Sequence, residues 1–411
     1  MLLDEAKRCL KCKNPRCQKA CPIATDVPTV MRLFEEGKIR EAGEVLFSNN
    51  PMTAICSVVC PHENNCYGNC VLGLKSDPVK FYEIEQYISG FYIDTFDKHP
   101  PEKNGFRVAV IGAGPAGISM SILLAMKGFE ITLIEAQDKI GGVLRYGIPE
   151  FRLPKARLEK YEHILKKLGV KFKPNTYIGS NLSIDDMFMD GYDAVFVAVG
   201  TAKPNRLGLL GETLGHVHYA IDYLKSPDAY DLGRRVVVIG AGNVAMDAAR
   251  MAVRKIGEGT VTIINNRREQ DMTAAMAELE MAKLEGVSFE HLLATLRIDS
   301  EGVLCAKVDA TEGEDGKILY EENLSQRVKV PADTVIIAIG QGPMSTLSDK
   351  AQISTNWRGL LKVDESGMTN IPGVFAAGDV VSGPKTVVEA VAYTKMVAQQ
   401  IERYCNEHSK K

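Results

Sequence analysis

The sequence predicts an α/β protein in which a helical N-terminal domain precedes two further domains of alternating strands and helices. Three observations support this prediction. Eight of the ten cysteines lie in the first seventy residues, where apolar residues follow helical spacing and strand-like alternation is absent. A short apolar strand with a glycine-rich turn begins at Arg107, and a second copy of that pattern begins at Arg235.

Composition sets the class of protein. A chain of 411 residues holds two or three domains, and a formal charge of -3 gives no overall basic footprint for nucleic acid. No apolar run is long enough to cross a bilayer, and the first residues, MLLDEAKRC, lack the apolar core of a secretory signal. We therefore expect a cytoplasmic protein, in a compartment where thiols stay reduced, that binds neither nucleic acid nor membrane.

The N-terminal cysteines form two groups with the spacing of iron–sulfur ligands. The groups are Cys9, Cys12, Cys17 and Cys21 with Pro22, and then Cys56, Cys60 with Pro61, Cys66 and Cys70. Cysteines two residues apart can ligate one centre from a single turn, and a following proline turns the chain away. Disulfides are the alternative in secreted domains, and structural zinc would explain either group separately. We expect a helical domain over residues 1–104 with thiolate for two [4Fe-4S] clusters.

The first glycine-rich copy is a complete strand–helix–strand unit for a dinucleotide. Gly112, Gly114 and Gly117 permit a tight turn, close approach of a pyrophosphate and close packing of helix on strand. Phosphates would lie at the helix N-terminus, where free N–H groups favour negative charge. Glu135 ends the second strand and is placed to accept hydrogen bonds from a ribose. A glycine-rich turn without a ligand is the alternative.

The second copy keeps the turn but not the acid. Gly240 and Gly242 match the first copy, and Ala245 takes the place of the third glycine. The next strand ends at Asn265, where the first copy has Glu135.

The residues that follow this strand favour NADP over NAD. Arg267 and Arg268 come directly after a neutral strand end, and such a pair suits a ribose 2′-phosphate, which a carboxylate would repel. A solvated surface turn is the alternative for the arginine pair. Two dinucleotide sites in one chain are best explained by one flavin and one nicotinamide, so we expect FAD at the first and NADP(H) at the second.

The C-terminal segment predicts that the FAD domain is split. It contains a strand, a turn at Gly378 and Asp379, and a helix that starts near Thr386. In two-domain flavoproteins of the glutathione-reductase type such a strand returns to the first domain, and the helix N-terminus faces the flavin ring, where it would stabilise the anionic reduced form.

The predicted domain boundaries follow from this return of the chain. We expect a Rossmann-like FAD domain over 105–205 and 339–411, and a Rossmann-like NADP domain inserted over 206–338. The apolar runs that end at Gly200 and Gly340 are the predicted crossing strands between them.

Together these motifs resemble the small (β) subunit of NADPH glutamate synthase. The resemblance is carried by the cysteine groups and by the segments NNPMTAICSVVCP, GGVLRYGIPEFRLPK, GAGNVAMD and VFAAGD. The same module resembles the N-terminal part of dihydropyrimidine dehydrogenase, its separate bacterial small subunit, and the large subunit of the ferredoxin-dependent NADP transhydrogenase. The resemblance covers nearly the whole chain.

The resemblance implies two interleaved [4Fe-4S] clusters. Its ligands for one cluster are Cys9, Cys12, Cys17 and Cys70, and its cysteine ligands for the other are Cys21, Cys60 and Cys66. The fourth ligand of the second cluster would come from the next helix, where relatives place Gln or Glu. We favour Glu85 over the adjacent Gln86; a carboxylate there should lower the cluster potential relative to an amide. Cys56 is expected to be a buried small residue and His62 a solvated loop residue.

The resemblance also implies two sets of nucleotide contacts. Those for FAD are Gly112, Ala113, Gly114, Pro115, Ala116, Glu135, Gly142, Val143, Arg152, Gly378, Asp379 and Thr386. Those for NADP are Gly242, Asn243, Val244, Arg267, Arg268 and Gly340.

This cofactor set predicts an electron-transfer chain. A nicotinamide gives two electrons as a hydride, an iron–sulfur cluster accepts one at a time, and a flavin can do both. Cys305 and Cys405 are isolated, so no Cys-x-x-Cys acceptor lies outside the helical domain. We identify no residue as an acid–base catalyst. We expect electrons to pass from NADPH through FAD and two clusters to another protein.

The sequence does not identify the partner protein that accepts the electrons. The favoured one is a catalytic subunit that contains FMN, iron–sulfur clusters or both, as in glutamate synthesis or pyrimidine reduction; ferredoxin is another. Two other functions are a subunit of a flavin-based bifurcating complex that couples NADP to ferredoxin and NAD, and a non-catalytic redox sensor or scaffold.

Overall fold

The computed structural model describes residues 1–179, 182–313 and 316–408. The chain divides into two units, of which one comprises Met1–Arg145, Glu150–Thr201 and Gly342–Lys411 and the other Tyr146–Pro149 and Ala202–Gln341. The three-domain division made from the sequence stays a prediction. In the described chain, no helix combines the length and the apolar character that a membrane span requires.

Residues 1–104 are helical, and all of them are described. The helices are α1 (Leu2–Lys7), α2 (Arg16–Ala20), α3 (Val27–Glu35), α4 (Ile39–Asn49), α5 (Thr53–Val59) and α6 (Phe81–Asp94), with a 3₁₀ turn at Val71–Leu74. Helix α3 begins where the Asp26 carboxylate accepts a hydrogen bond from the N–H of Thr29 at 3.3 Å. Helix α6 buries Phe81, Ile84 and Ile88, spaced three or four residues apart, against the other helices.

The first strand–helix–strand unit follows. Its elements are β1 (Arg107–Ile111), α7 (Pro115–Ala125), β2 (Glu130–Ile134), α8 (Val143–Tyr146), α9 (Ala156–Lys167), β3 (Lys171–Lys173), α10 (Ile184–Met189) and β4 (Ala194–Val197). Strands β1 and β4 are apolar along almost their whole length because both faces of a parallel sheet are covered.

The second unit contains its own parallel sheet. Its elements are β5 (Lys203–Pro204), β6 (Val217–Tyr219), α11 (Ala220–Lys225), β7 (Arg235–Ile239), α12 (Asn243–Ile256), β8 (Thr260–Ile264), α13 (Met276–Leu284), β9 (Ser288–Glu290), β10 (Leu293–Asp299), β11 (Gly302–Glu312), β12 (Ile318–Pro331), β13 (Thr334–Ile337) and β14 (Gln341–Gly342). The parallel sheet has the order β6-β13-β7-β8-β9, and β10, β11 and β12 form a separate antiparallel sheet.

The chain then returns to the first sheet. The last elements are α14 (Thr346–Ala351), β15 (Val374–Ala376), α15 (Asp379–Ser382) and α16 (Val387–Glu407). Strand β15 pairs with β4 in the parallel order β15-β4-β1-β2-β3. The predicted return strand and the helix after Thr386 are therefore present, and the apolar runs before Gly200 and Gly340 form β4 and β13.

Candidate functional site

The first group of predicted cluster ligands surrounds one cavity. Its lining includes Cys9, Cys12, Cys17 and Cys70, together with apolar residues such as Val27 and Val79. Cys9 follows α1, Cys17 lies in α2, and Cys70 precedes the 3₁₀ turn, so chain segments far apart in sequence supply the four thiols. The structure brings together the four cysteines that the resemblance assigned to one cluster.

The second group surrounds another cavity. Its lining includes Cys21, Cys60, Cys66 and Glu85, and Gln86 does not line it. Cys21 directly follows α2, and Cys60 directly follows α5. Asn65 Nδ2 lies 3.1 Å from Cys60 Sγ and donates a hydrogen bond to it.

Glu85 is a buried carboxyl group on α6. Its Oε1 accepts a hydrogen bond from Thr53 Oγ1 at 2.8 Å. Burial raises the pKa of Glu85 to about 7 despite that hydrogen bond, because the charged form loses its hydration. A buried carboxyl group ionises more readily when a cation lies beside it. A bound metal ion would provide that cation, so Glu85 is suited to be a metal ligand.

The buried thiols, like Glu85, would be expected to lose their protons only beside a cation, as metal ligands do. Burial raises the pKa of Cys17 to about 11 and that of Cys60 to about 12, and it raises the pKa of Cys66 as well. Without a bound cation these groups would stay protonated and inert. Iron supplies the positive charge that makes the thiolate form favourable, so the donor set fits iron–sulfur clusters.

The spacing of the donors disfavours a single metal ion. Among the described residues, no three His, Cys, Asp or Glu side chains are placed to hold one ion together. Structural zinc draws four ligands to about 2.3 Å from one centre, whereas the thiolates of a cubane spread over four iron atoms. Two cavities with four predicted donors each match the number of ligands that two cubane clusters need.

Two further residues line the second cavity. Cys56 is buried there, as expected for a small residue. His62 differs from the expectation of a solvated loop residue, since its Nε2 is buried without a hydrogen-bond partner. Its ring stacks on Tyr82 at a centroid distance of 4.3 Å. Burial lowers the pKa of His62, which favours the neutral ring. The signal in the sequence was its position directly after Cys60-Pro61.

The predicted flavin cradle is formed by the turn before α7. Gly112 has φ +99°, and a Cβ there would lie 2.5 Å from the carbonyl oxygen of Ala198. Gly114 precedes the helix, and the nearest atom to a Cβ at this position would be Gly142 Cα at 4.0 Å. The space in front of Gly114 is therefore open, as a phosphate cradle requires. Pro115 and Ala116 form the first turn of α7.

Glu135 lies at the carboxyl end of β2 beside this turn. Its Oε2 accepts a hydrogen bond from the N–H of Ala113 at 2.6 Å, and its Oε1 accepts one from the N–H of Gln137 at 2.9 Å. The carboxylate is thereby fixed next to the glycine turn, in the position expected of a ribose acceptor.

Three other predicted flavin residues lie near the turn or beside it in sequence. Gly142 has φ +52° and contacts Gly114, since a Cβ at Gly142 would lie 2.9 Å from Gly114 Cα. Val143 starts α8 and is 41% exposed. Arg152 is half-buried in the segment before α9.

The Gly378–Asp379 turn completes the cradle. A Cβ at Gly378 would lie 3.1 Å from Ala116 Cβ, so this turn contacts the start of α7. Burial raises the pKa of Asp379 to about 6, and its Oδ1 accepts a hydrogen bond from the N–H of Lys385. Thr386 caps α16 by accepting a hydrogen bond from the N–H of Glu389 at 3.3 Å.

Helix α16 contributes to the second cavity and begins directly after Thr386, one of the predicted flavin contacts. It begins at Val387 after Thr386, and Val388 lines the cavity of Cys21, Cys60 and Cys66. One turn of one helix therefore contacts the cavity and lies beside the cradle.

The predicted nicotinamide cradle belongs to the second unit. A Cβ at Gly240 would lie 2.4 Å from the carbonyl oxygen of Ala338, so the turn before α12 requires glycine there. Gly242 precedes α12 and has open space in front of it, apart from Thr273 Oγ1 at 3.4 Å. The Oδ1 atom of Asn243 accepts a hydrogen bond from the N–H of Ala275 at 2.8 Å.

The other two predicted contacts of this cradle lie on either side of it in sequence. Val244 is in the first turn of α12, next to Asn243. Gly340 has φ +95°, and a Cβ there would lie 3.2 Å from Asn205 Nδ2.

The two arginines after β8 differ in their surroundings. Arg268 Nε is 2.6 Å from Asp271 Oδ2, which ties this guanidinium to its own loop. Arg267 is exposed, and no ion pair to it occurs among the described residues. His291 is not among the residues predicted for this site. Its Nδ1 lies 3.1 Å from Asn265 Nδ2. It follows β9, the strand paired with β8, so only the sheet register brings it to this site.

Comparison with known proteins identifies the family. Residues 106–393 match the pyridine nucleotide-disulphide oxidoreductase family, and residues 1–95 match the family described as dihydropyrimidine dehydrogenase domain II, 4Fe-4S cluster. The chain is 34% identical to the glutamate synthase [NADPH] small chain of Escherichia coli (strain K12), over 97% of this chain and 90% of that protein. It is 31% identical to the NAD-dependent dihydropyrimidine dehydrogenase subunit PreT of Salmonella typhimurium, over 99% and 95% respectively.

A solved structure shares the fold. FprA from Mycobacterium tuberculosis in complex with NADPH has a TM-score of 0.62 at 18% identity, over 74% of this chain and 85% of that chain. The predicted α/β fold is confirmed. The matches also confirm the predicted classes of cofactor, FAD, NADP(H) and 4Fe-4S. The chain therefore belongs to the pyridine nucleotide-disulphide oxidoreductases, among the members with an N-terminal 4Fe-4S domain, such as the glutamate synthase small chain.

Proposed function

We propose that this protein is an NADPH-oxidising electron-input subunit that delivers electrons to a catalytic partner subunit. The relatives named above are subunits in name, which supports a partner for this chain. The observation that carries the proposal is that Val388 lines the second cavity only two residues after Thr386, a predicted flavin contact. Electrons can then leave the flavin through the helical domain.

The chemistry that a bound FAD would supply is the conversion of a two-electron hydride donation into single-electron transfers to iron–sulfur clusters. The protein contributes binding, position and electrostatics. Gly112, Gly114 and Gly378 keep the cradle open, and Glu135 offers its carboxylate to the ribose. The N-terminus of α16 would place its positive dipole end near the flavin ring, where it would stabilise the negative charge of the reduced form.

We assign the cluster ligands by cavity. The first cavity would use Cys9, Cys12, Cys17 and Cys70, and the second would use Cys21, Cys60, Cys66 and Glu85. Glu85 is favoured over Gln86 because it lines the cavity. The second cavity contains the more deeply buried thiols and contacts α16, so it would hold the cluster nearer the flavin. The first would hold the cluster at which electrons leave.

We assign NADPH as the hydride donor because of two residues, Asn265 and Arg267. A strand that ends in Asn265 avoids the repulsion that a carboxylate would exert on a 2′-phosphate. The exposed Arg267 is available to form a charge-assisted pair with that phosphate, and Arg268 already pairs with Asp271. The His291 ring adds a hydrogen-bonding group beside Asn265.

Anaerobic titration with NADPH tests the proposal. The protein is purified without oxygen, its iron and flavin are counted, and NADPH is added in steps while absorbance and paramagnetic resonance spectra are recorded. We expect about eight iron atoms per flavin, bleaching of the flavin and the signal of a reduced [4Fe-4S] cluster. Zinc in place of iron, or a flavin that NADPH leaves unbleached, would refute it. Identification of the polypeptide that copurifies tests the partner.

A further inference from the structure

We propose that the exposed basic surface around the first cluster cavity is the docking site for an acidic electron-transfer protein. This surface, called the basic rim below, consists of Lys7, Lys13, Arg16, Lys19 and Lys75. The inference deepens the proposed function and rests on it, because a docking site here requires that electrons leave through the first cluster.

The basic rim departs from the charge of the whole chain. The chain has 49 lysine and arginine residues against 52 acidic ones. Residues 1–21, in contrast, contain six lysine or arginine residues and only two acidic residues. The segment that supplies most ligands of the first cavity is therefore strongly positive in a chain of net negative charge, and such asymmetry creates a local field that attracts acidic molecules.

The structure places these charges next to the cavity. Arg16 lines it directly, and Lys13 follows Cys12, another lining residue. Lys19 lies on α2 two residues after Cys17, and Lys7 ends α1 two residues before Cys9. Lys75 directly follows the 3₁₀ turn, whose first residues Val71 and Leu72 also line the cavity. All five side chains are exposed.

Three acidic groups near the basic rim already have partners. The Glu5 carboxylate pairs with Arg8 at 2.9 Å, and that of Glu35 pairs with Lys11 at 2.6 Å. The Asp4 carboxylate pairs with the N-terminal ammonium at 2.9 Å. In contrast, the five residues of the basic rim form no ion pair within the part of the chain that the structure describes. Their charges are thus available to a partner.

Apolar residues lie within this charged surface. Leu10 lines the first cavity and is 58% exposed, and Leu74 is 69% exposed at the end of the 3₁₀ turn. An apolar centre with a charged rim is the usual anatomy of a protein–protein interface. The rim would steer and orient the partner, and the two leucines would exclude water between the redox centres. The occupant that fits is a protein with acidic side chains around its own redox centre.

The test compares two sets of three charge reversals in the holoenzyme. One variant carries Lys13→Glu, Lys19→Glu and Lys75→Glu on the basic rim. The matched control carries Lys173→Glu, Lys350→Glu and Lys362→Glu, which are exposed lysines on β3, α14 and the segment before β15. Both variants change the net charge equally. The acceptor is a plant-type acidic [2Fe-2S] ferredoxin, with excess cytochrome c present to reoxidise it, and the rate without ferredoxin is subtracted.

We expect the rim variant to lower kcat/KM for ferredoxin at least tenfold at low ionic strength, and the control to stay within twofold of the wild type. The wild-type rate should fall as salt is added, and the rim variant should lose most of that salt dependence. NADPH-driven reduction of the uncharged quinone menadione should be equal in all three proteins.

Two groups of results would overturn the inference. Equal ferredoxin rates in the rim and control variants, with menadione reduction intact, would refute the docking site and leave the proposed function standing. So would salt-dependent binding of the wild type to anionic phospholipid vesicles together with ferredoxin rates that the rim variant does not change. Loss of menadione reduction in the wild type, in contrast, would refute the proposed function itself.

Discussion

Glu85 is a carboxyl group among thiols, and as a ligand it would add one negative charge to the proposed second cluster site. It is buried, and its pKa is raised to about 7 by burial. We predict that Glu85→Gln retains iron and raises the midpoint potential of one cluster, because the substitution removes one negative charge from its ligand set. A redox titration monitored by paramagnetic resonance measures this.

The neighbouring amide provides the control. Gln86→Ala should leave both cluster potentials unchanged, since Gln86 does not line the cavity. A shift in Gln86→Ala with none in Glu85→Gln would reverse the assignment of the fourth ligand.

The proposed preference for NADPH over NADH also depends on single residues. We predict that Arg267→Ala lowers kcat/KM for NADPH about tenfold or more and leaves that for NADH within twofold, because only NADPH carries the 2′-phosphate. Steady-state oxidation of each nucleotide with menadione as the acceptor measures this. Arg268→Ala is the matched variant and should cost less, since Arg268 is held by Asp271 at 2.6 Å. Equal losses for both nucleotides in Arg267→Ala would contradict the role of Arg267.

At the scale of elements, the turn before α7 contains one glycine that folding requires, Gly112, and one that flavin binding should require, Gly114. Gly112→Ala forces a Cβ to within 2.5 Å of a carbonyl oxygen at φ +99° and should destabilise the domain. Gly114→Ala meets no atom closer than 4.0 Å, so the protein should fold without loss of cluster iron. We predict that it loses flavin nonetheless, because the methyl group occupies the cradle.

The measurements are the ratio of flavin to iron and the circular dichroism spectrum of both variants. Wild-type flavin content in Gly114→Ala would show that the cradle lies elsewhere. Poor folding of Gly114→Ala would contradict the open space seen in front of it.

An ion-pair network connects α12 and α13 in the second unit. Arg250 Nη2 is 2.8 Å from Glu285 Oε1, and Arg254 contacts the same carboxylate. These arginines lower the pKa of Glu285 from 4.5 to about 2. A depressed carboxyl pKa stabilises the fold above about pH 4.5, and this contribution is lost as pH falls toward 2.

We predict that Glu285→Gln destabilises the protein at pH 7 by an amount on the order of 2 kcal/mol. This is less than the free energy that corresponds to the full pKa shift, because solvent screens a partly exposed ion pair. The difference from the wild type should narrow below pH 4.5. Thermal unfolding followed at several pH values measures this. Glu258→Gln, whose side chain is 95% exposed, should have no such effect. A stability difference that does not depend on pH would contradict an electrostatic origin.

The sequence predicted those elements whose signal is local. Strand β1, the glycine turn and α7 follow from residues 107–125 alone, and the start of α16 follows from the capping pattern at Thr386. The antiparallel sheet β10-β11-β12 was not predicted, because its pairing depends on register between distant segments. His291 was missed for the same reason, since its place beside Asn265 depends on the pairing of β9 with β8.

The predicted cluster ligands also include features that local sequence patterns could not predict. The spacing of the cysteines indicated iron–sulfur ligation, but their division between two centres came from the family resemblance. Burial of His62 Nε2 depends on the packing of Tyr82 from α6, which the sequence does not reveal.

At the scale of the whole molecule, two cationic side chains attach the helical domain to the flavin domain. Arg157 Nη1 on α9 donates a hydrogen bond to the carbonyl oxygen of Ala54 at 3.1 Å, and Lys395 Nζ on α16 donates one to Asn49 Oδ1 at 2.7 Å. Burial lowers the pKa of both groups, so each link is partly removed from water.

We predict that the double variant Arg157→Met and Lys395→Met slows cluster reduction after NADPH is mixed in, and that flavin reduction keeps its wild-type rate. The reason is that the links would hold the second cavity against the predicted flavin domain, whereas the residues predicted to bind the nicotinamide belong almost all to the other unit. Stopped-flow absorbance separates the two steps. Lys166→Met, an exposed lysine of the same helix α9, is the control and should change neither rate. Equal slowing of both steps would contradict this role.

Thr386 and Val388 have a consequence for how fast electrons can cross this protein. The two residues are separated by less than one turn of α16, and a capping box with Glu389 fixes that turn. Electron tunnelling weakens steeply as the gap between donor and acceptor widens. A gap spanned by a capped helical turn changes only if that turn unwinds, so the rate of this internal hop should be nearly independent of solvent viscosity.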